Sequence, residues 1–270
     1  VVEPSPSAGR LTTQPDRAAQ GVRRTSIENS LLAALPRNDY RRLLVWLEPV
    51  TLTFGEVLYE PGETIRHVYF PGVSLVSLLT LADGHLALEV GLIGRECMVG
   101  IPLVLGHNAS SVRALVQGSG PAMRMASVPF REQFRRSPPL QQELYRYTHT
   151  LMAQISQTAA CNRFHVVERR LARWLLMTQD RVKSDQFRMT QEFLGHMLGV
   201  RRVGVTTAAQ ALQKGKLIRY SRGDITVLDR SGLEAAACEC YEVVKDMHDG
   251  ASATPAMRKK RISADSVIAV

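Results

Sequence analysis

The residues with most to offer chemically lie between Arg188 and Arg222. Arg201, Arg202, Thr206, Thr207 and Gln210 fall on one side of a helix of 3.6 residues per turn, and Val205, Ala208, Ala209 and Leu212 on the other. Arg can fork to guanine O6 and N7, Gln can pair with adenine, and Thr can bond a base edge or meet a thymine methyl. That set suits the major groove of a DNA duplex, and small inner residues let the helix lie deep in it. Ahead of it, Thr190 is a plausible N-cap for a first helix Gln191–Leu198, and Gly199 ends that helix because glycine tolerates the left-handed C-cap. Two short helices joined by such a turn predict a helix-turn-helix. Leu217–Tyr220, the turn Ser221-Arg222-Gly223-Asp224 and Ile225–Leu228 predict a two-stranded wing. Arg188, Thr190 and Arg222 are expected on phosphates, and Arg201, Arg202, Thr206, Thr207 and Gln210 on bases. The blander alternative is a helical hairpin in a core, followed by an unrelated β-hairpin.

Other reactive residue types form no comparable set. Cys238 and Cys240 are expected on one C-terminal helix, where positions i and i+2 diverge by about 200°, a poor metal pair. They are read as ordinary helix residues. His165 and Glu168 make a single i, i+3 pair. His67, His85 and His107 are read as loop or surface residues, and Cys97 as a packed strand residue. The sequence has no glycine-rich phosphate loop, nucleophile elbow or HExxH motif. It therefore predicts no catalytic constellation and no metal site, and the chain is not expected to be an enzyme.

The positioning elements follow from periodicity. Ile27–Leu47 has helical spacing split by Pro36. Between Val50 and Val128, turn signals such as Pro61-Gly62, Pro71-Gly72, Asp83-Gly84 and Gly94 separate short β-branched and aromatic runs, which predicts an all-β roll or jelly roll. Residues 129–137 read as a loop closed by Pro138-Pro139. Leu140, Leu144, Tyr147 and Leu151 step by four, three and four, and the seam weakens through Ile155. That stripe on a long helix needs a cover, either the β domain or the same helix of a second subunit, and a dimer interface is the expectation. Val166–Met177 predicts an amphipathic helix.

Lys plus Arg number 34 against 25 Asp plus Glu, a formal net of +9. Residues 50–128 hold 4 basic and 6 acidic side chains, whereas residues 164–234 hold 13 and 7. The basic excess thus sits on the segment with the helix-turn-helix, which suits a polyanion. No run approaches the ~18 apolar residues of a membrane span, and Val1–Arg10 has two prolines and no apolar core, so neither membrane nor export is expected. Four scattered cysteines then read as reduced thiols in the cytoplasm. The expected division is a tail over 1–26, a sensor roll over 27–137, a dimerisation helix over 138–163, a winged helix-turn-helix over 164–249 and a basic tail over 250–270 containing Arg258-Lys259-Lys260-Arg261.

On these residues the chain resembles the Crp/Fnr family of bacterial transcription regulators. The stretch Thr190–Arg202 resembles the family's helix-turn-helix, and Gly215–Ile218 through Asp229-Arg230 its wing. Phe54-Gly55-Glu56, Tyr59–Gly62 and Gly94-Arg95-Glu96 resemble its cyclic-nucleotide-binding-type β-roll. The resemblance implies an α+β homodimer with a long dimer helix, ligand or redox control of affinity for double-stranded DNA, and RNA polymerase as a further partner. It also locates an effector pocket around Gly100, Ser110, Ser111 and Arg113. The chain departs from the family in two places. Arg202 matches the first recognition Arg, but Val203 stands for the usual Glu and Thr207 for the second Arg, so the operator should differ. The ribose Glu and phosphate Arg of the cyclic-AMP pattern are missing, which argues against cyclic AMP. Residues 1–49 contain no Cys, which argues against the family's N-terminal iron–sulfur cluster. The effector stays unidentified. Two alternatives remain: a ligand-binding module whose helix-turn-helix docks protein, and a DNA-binding regulator that needs no ligand.

Overall fold

The computed structural model describes residues 29–82 and 86–250. The N-terminal tail, the basic run Arg258–Arg261, the Asp83-Gly84 turn and His85 lie outside the described residues. The tail expected from 250 overlaps them only at Gly250.

Helices α1 (Ser30–Ala34) and α2 (Arg37–Leu44) part at Pro36, as the ring requires. Buried Asn29 caps α1 by accepting from Leu32 N, and its amide donates to Pro71 O at 2.9 Å and Cys97 O at 2.8 Å. One side chain thus anchors α1 to the strands. Those strands are β1 (Glu48–Leu52), β2 (Val57–Tyr59), β3 (His67–Pro71), β4 (Leu75–Ala82), β5 (Leu86–Ile93), β6 (Arg113–Gly118) and β7 (Gly120–Ala126). They form two antiparallel sheets, ordered β1-β7-β3 and β2-β6-β4-β5, which enclose Val68, Phe70, Val76, Met98, Val116 and Met125. β1 and β7 go beyond the predicted runs. Pro121 is tolerated in central β7 because it lies where the pairing with β3 has ended.

A helix replaces the loop expected over 129–137: α3 (Ser127–Arg136). Its Pro129 falls in the first turn, where a backbone N–H has no helical partner to lose. The long helix α4 (Pro138–Phe164) follows, capped by Ser137, whose Oγ accepts from Leu140 N at 3.3 Å. The predicted seam requires a correction. Leu140, Leu144, Tyr147 and Leu151 are buried in the chain's own roll core, and Ile155 packs against it. They are not a free dimer interface. Periodicity shows that a face is covered, not what covers it. The opposite face of α4 leaves Tyr145 and Met152 53% and 63% exposed, with His149, Ser156 and Ala159 exposed along the same line.

A second core belongs to α5 (Val167–Val182), β8 (Gln186–Arg188), α6 (Gln191–Leu198), α7 (Arg202–Lys214), β9 (Ile218–Ser221), β10 (Asp224–Val227), α8 (Arg230–Ala236) and α9 (Cys240–Gly250). The wing has three strands, ordered β8-β10-β9, rather than two. Cys238 lies in the turn before α9, so the two C-terminal thiols do not share a helix as expected.

The two cores meet on the outer face of β4 and β5, where Leu79 and Leu92 join the second cluster. The register there slips at Val90: Leu78 pairs Gly91, but Leu79 pairs Glu89. This bulge puts Glu89, not Val90, on the outer face. Its buried carboxyl accepts from Ser77 Oγ at 2.6 Å and from Trp174 Nε1 of α5 at 3.0 Å. Nearby, Arg181 of α5 pairs with Glu96 at 2.7 Å, both little exposed. Burial raises the Glu89 carboxyl from its ordinary 4.5 to about 7, against the pull of these hydrogen bonds and of Arg173 and Arg181.

Folded Glu89 therefore holds a proton between about pH 4.5 and 7 that the unfolded chain has released. Its contribution is complete below the lower value and is lost as pH rises through the upper one. The full shift corresponds to roughly 3 kcal/mol. Thermal melts of the wild type from pH 5 to 8 should show stability falling with pH. Glu89→Gln should flatten that component, and an unchanged slope in the variant would refute the assignment.

Candidate nucleic-acid interface

The interface is built on α5, whose Leu171, Leu175 and Trp174 are buried under the helix-turn-helix. Thr190 Oγ1 accepts from Phe193 N at 3.1 Å and so caps α6. Gly199 closes α6 with φ +60, the left-handed cap expected there. Gly195 is a second glycine requirement: a Cβ there would sit 2.9 Å from Val200 O. Arg170, buried beneath, donates to Leu198 O at the end of α6. That guanidinium is thus committed to the fold, although its charge adds to the basic block.

On α7, Val205, Ala208, Ala209 and Leu212 are buried as predicted. Arg201, Arg202, Thr207 and Gln210 are exposed on the other side. Thr206 is placed differently from the expectation: it is half-buried, and its hydroxyl lies 2.7 Å from Gln191 Oε1, at the joint between α6 and α7. Thr207 Oγ1 reaches back to Val203 O at 3.1 Å, as threonines in helices do. Val203, which stands where the family's recognition helix usually has Glu, is 68% exposed beside Arg202, an apolar group on a polar face.

The wing turn has φ +51 at Arg222 and +92 at Gly223, the two positive angles that suit a two-residue hairpin. This lifts the exposed Arg222 to the wing tip. Arg188 on β8 is also exposed, 3.9 Å from Asp224. Tyr220 of β9 donates to Met189 O at 2.7 Å, in the short link from β8 to α6, and burial pushes its phenol up to about 12, so it remains a donor at neutral pH. Arg201 and Arg202 also border a groove of about 650 Å³, whose other wall includes Ala87 and Leu88 of β5. The Phe54 ring packs against Phe193 of α6, tilted by 46° with centroids 5.5 Å apart. The first helix of the motif therefore rests on the roll, while the polar side of α7 faces away from its own support.

The four residues expected around an effector do different things. Gly100 has φ +118, and a Cβ would meet Val68 Cγ1 at 2.8 Å, so it serves close packing. Ser110 is buried, with its hydroxyl turned on Val112 O at 2.6 Å. Ser111 is exposed, and Arg113 pairs with Glu60 at 2.8 Å. None of the four lines the 650 Å³ groove or a second cavity of about 360 Å³ beside Glu96, Arg181 and His248.

Residues 169–236 match the Crp-like helix-turn-helix domain family. No curated protein sequence is significantly similar to the chain. Solved structures are similar in fold. FixK2 from Bradyrhizobium japonicum aligns at a TM-score of 0.62 and 13% identity, over 71% of this chain and 98% of that one. The c-di-GMP-responsive global regulator CLP from Xanthomonas campestris aligns at 0.60 and 16%, over 71% and 99%. A Crp/Fnr-family transcriptional regulator from Thermus thermophilus aligns at 0.57 and 20%, over 70% and 98%.

The cap makes a local prediction. Thr190→Ala should cost about 1 kcal/mol in urea unfolding, and Thr190→Ser should recover most of it. Equal losses in both variants would show that the hydroxyl does not cap α6.

Proposed function

We propose that this chain, whose winged segment belongs to the Crp-like helix-turn-helix family and whose fold is that of Crp/Fnr regulators, is a transcription regulator that binds double-stranded DNA as a two-fold dimer. The observation that carries the proposal is the two-sidedness of α7: Arg201, Arg202, Thr207 and Gln210 exposed, opposite an apolar face that is buried. In this reading Arg202 and Gln210 reach base edges, Arg201 and Thr207 flank them, and Val203 meets a thymine methyl. Arg188, Arg222 and the free hydroxyl hydrogen of Thr190 serve phosphates. Thr206 acts through the α6–α7 joint instead of on a base.

The dimer uses the outer face of α4, along Tyr145, His149, Met152, Ser156 and Ala159. Small residues at its far end let two helices approach closely. A two-fold axis there would present two copies of α7 about one helical repeat apart, roughly 34 Å. Effector control acts from the roll through the contacts that dock it to α5, Glu89 with Trp174 and Glu96 with Arg181. These are the contacts that two states of the chain would weight differently. The effector's chemistry is left open, RNA polymerase is a further partner, and no catalytic role is assigned. Among the described residues no helix is long and apolar enough to cross a membrane. A role on the chromosome places the chain in the cytoplasm.

Fluorescence anisotropy with an operator selected from random duplexes tests the roles. Arg202→Ala should lose about 1–3 kcal/mol on the operator and little on random DNA. Arg222→Ala should weaken both alike and reduce the salt slope by about one. Equal losses on both duplexes for both variants would refute the division. For the dimer, Met152→Lys should yield a folded monomer by light scattering, whereas Leu144→Lys should unfold the roll. A dimeric Met152→Lys protein would remove the outer face from the proposal.

A further inference from the structure

Where α4 ends, three thiols and an imidazole converge. Cys161 is on the last turns of α4 and His165 is the residue just past its end, one helical turn on. Cys238 is in the turn after α8 and Cys240 begins α9. The four ligand atoms, three Sγ and one histidine nitrogen, lie within 4.8 Å of one another. Cys161 Sγ is 3.5 Å from Cys238 Sγ, and Cys240 Sγ is 3.4 Å from His165 Nδ1. All three thiols are buried, with Cys161 and Cys240 at 0% exposure.

Zn–S and Zn–N bonds of about 2.3 and 2.0–2.1 Å at a tetrahedral angle separate two sulfurs by about 3.8 Å and sulfur from nitrogen by about 3.6 Å. The observed separations therefore approach the edges of a tetrahedron around one ion. The donor set is soft thiolate plus imidazole, which selects Zn2+ over the hard, oxygen-seeking cations. A single buried cysteine behaves as a small hydrophobe. Three that turn their sulfurs toward each other and toward a ring nitrogen make a different environment.

The surroundings complete the picture. The other ring nitrogen of His165, Nε2, lies 3.3 Å from Glu239 Oε1, the carboxylate–histidine pairing that orients metal-bound imidazoles. Gln157 Nε2 donates to Cys240 Sγ at 3.0 Å. Three thiolates around a dication leave one net negative charge. Arg170 and Arg173, both largely buried, face Cys161 and offset it.

We propose that Cys161, His165, Cys238 and Cys240 form a structural site for one Zn2+ ion. The site joins the end of the long helix to the segment that leaves the winged domain. It closes four ligand positions with protein groups, as structural zinc sites do, so the ion holds the two parts together and performs no chemistry. The two ends of the winged segment are thereby pinned to one point on α4. The proposal does not rest on DNA binding.

The test is metal analysis of the full chain, purified under reducing conditions without chelator. Zinc should be present at about one ion per chain and be released when the thiols are modified with an organomercurial. Cys161→Ser and Cys240→Ser should lose it, while Cys97→Ser, a buried thiol outside the cluster, should keep it. Because a cluster variant could fail to fold, the wild type is also stripped with chelator and reloaded with Co2+. The intense visible absorption of tetrahedral cobalt–thiolate is the expected result. A wild type that holds no zinc and takes up neither ion would overturn the site. So would zinc retained in both cluster variants, or the weak spectrum of octahedral cobalt.

Discussion

The small apolar face of α7, Val205, Ala208, Ala209 and Leu212, is the contact that orients the winged segment. Two alanines at its centre let the helix lie close to α5, and that closeness fixes which side of α7 looks outward. The glycines of α6 serve the same end: Gly195 allows the backbone at Val200 to approach, and Gly199 turns the chain between the helices. The wing then follows from a short turn with two positive φ angles, held down by Tyr220. The exposed arginines have consequences only because these buried contacts set their direction.

Local chemistry was legible in the sequence. Thr190 as cap, Gly199 as stop, Pro36 as break and Arg222-Gly223 as hairpin turn each depend on one or two residues and their immediate neighbours, and each stands where it was expected. Features that depend on distant partners were not legible. The leucine seam of α4 announced a covered face, but the roll covers it, not a second chain. The Val90 bulge, which turns Glu89 toward Trp174, has no signature in an alternating strand. Thr206 looked outward on a helical wheel, yet Gln191 draws its hydroxyl into the joint.

The cysteines show the same limit more sharply. Cys238 and Cys240 diverge on a helix, and that geometry argued against a shared ligand. The helix starts at Cys240, so Cys238 lies outside it and its sulfur can face the same point as that of Cys240. Cys161 and His165 are more than 70 residues away in sequence, and only the packing of α4 against α9 brings them near. The roll and the winged segment are thus tied at several points: the buried Glu89–Trp174 bond, the Glu96–Arg181 pair, and Phe54 on Phe193. A regulator needs such contacts to be numerous enough to define one state and polar enough to give way to another.

Hydroxyl-radical and methylation footprinting of the intact protein on a selected operator shows whether the outward side of α7 reads bases. Two major-groove protections about 10 base pairs apart, on one side of the duplex and lost on scrambled sequence, are the predicted result. Protection of the sugar–phosphate backbone alone, with no dependence on sequence, would mean that the outward side of α7 does not read bases.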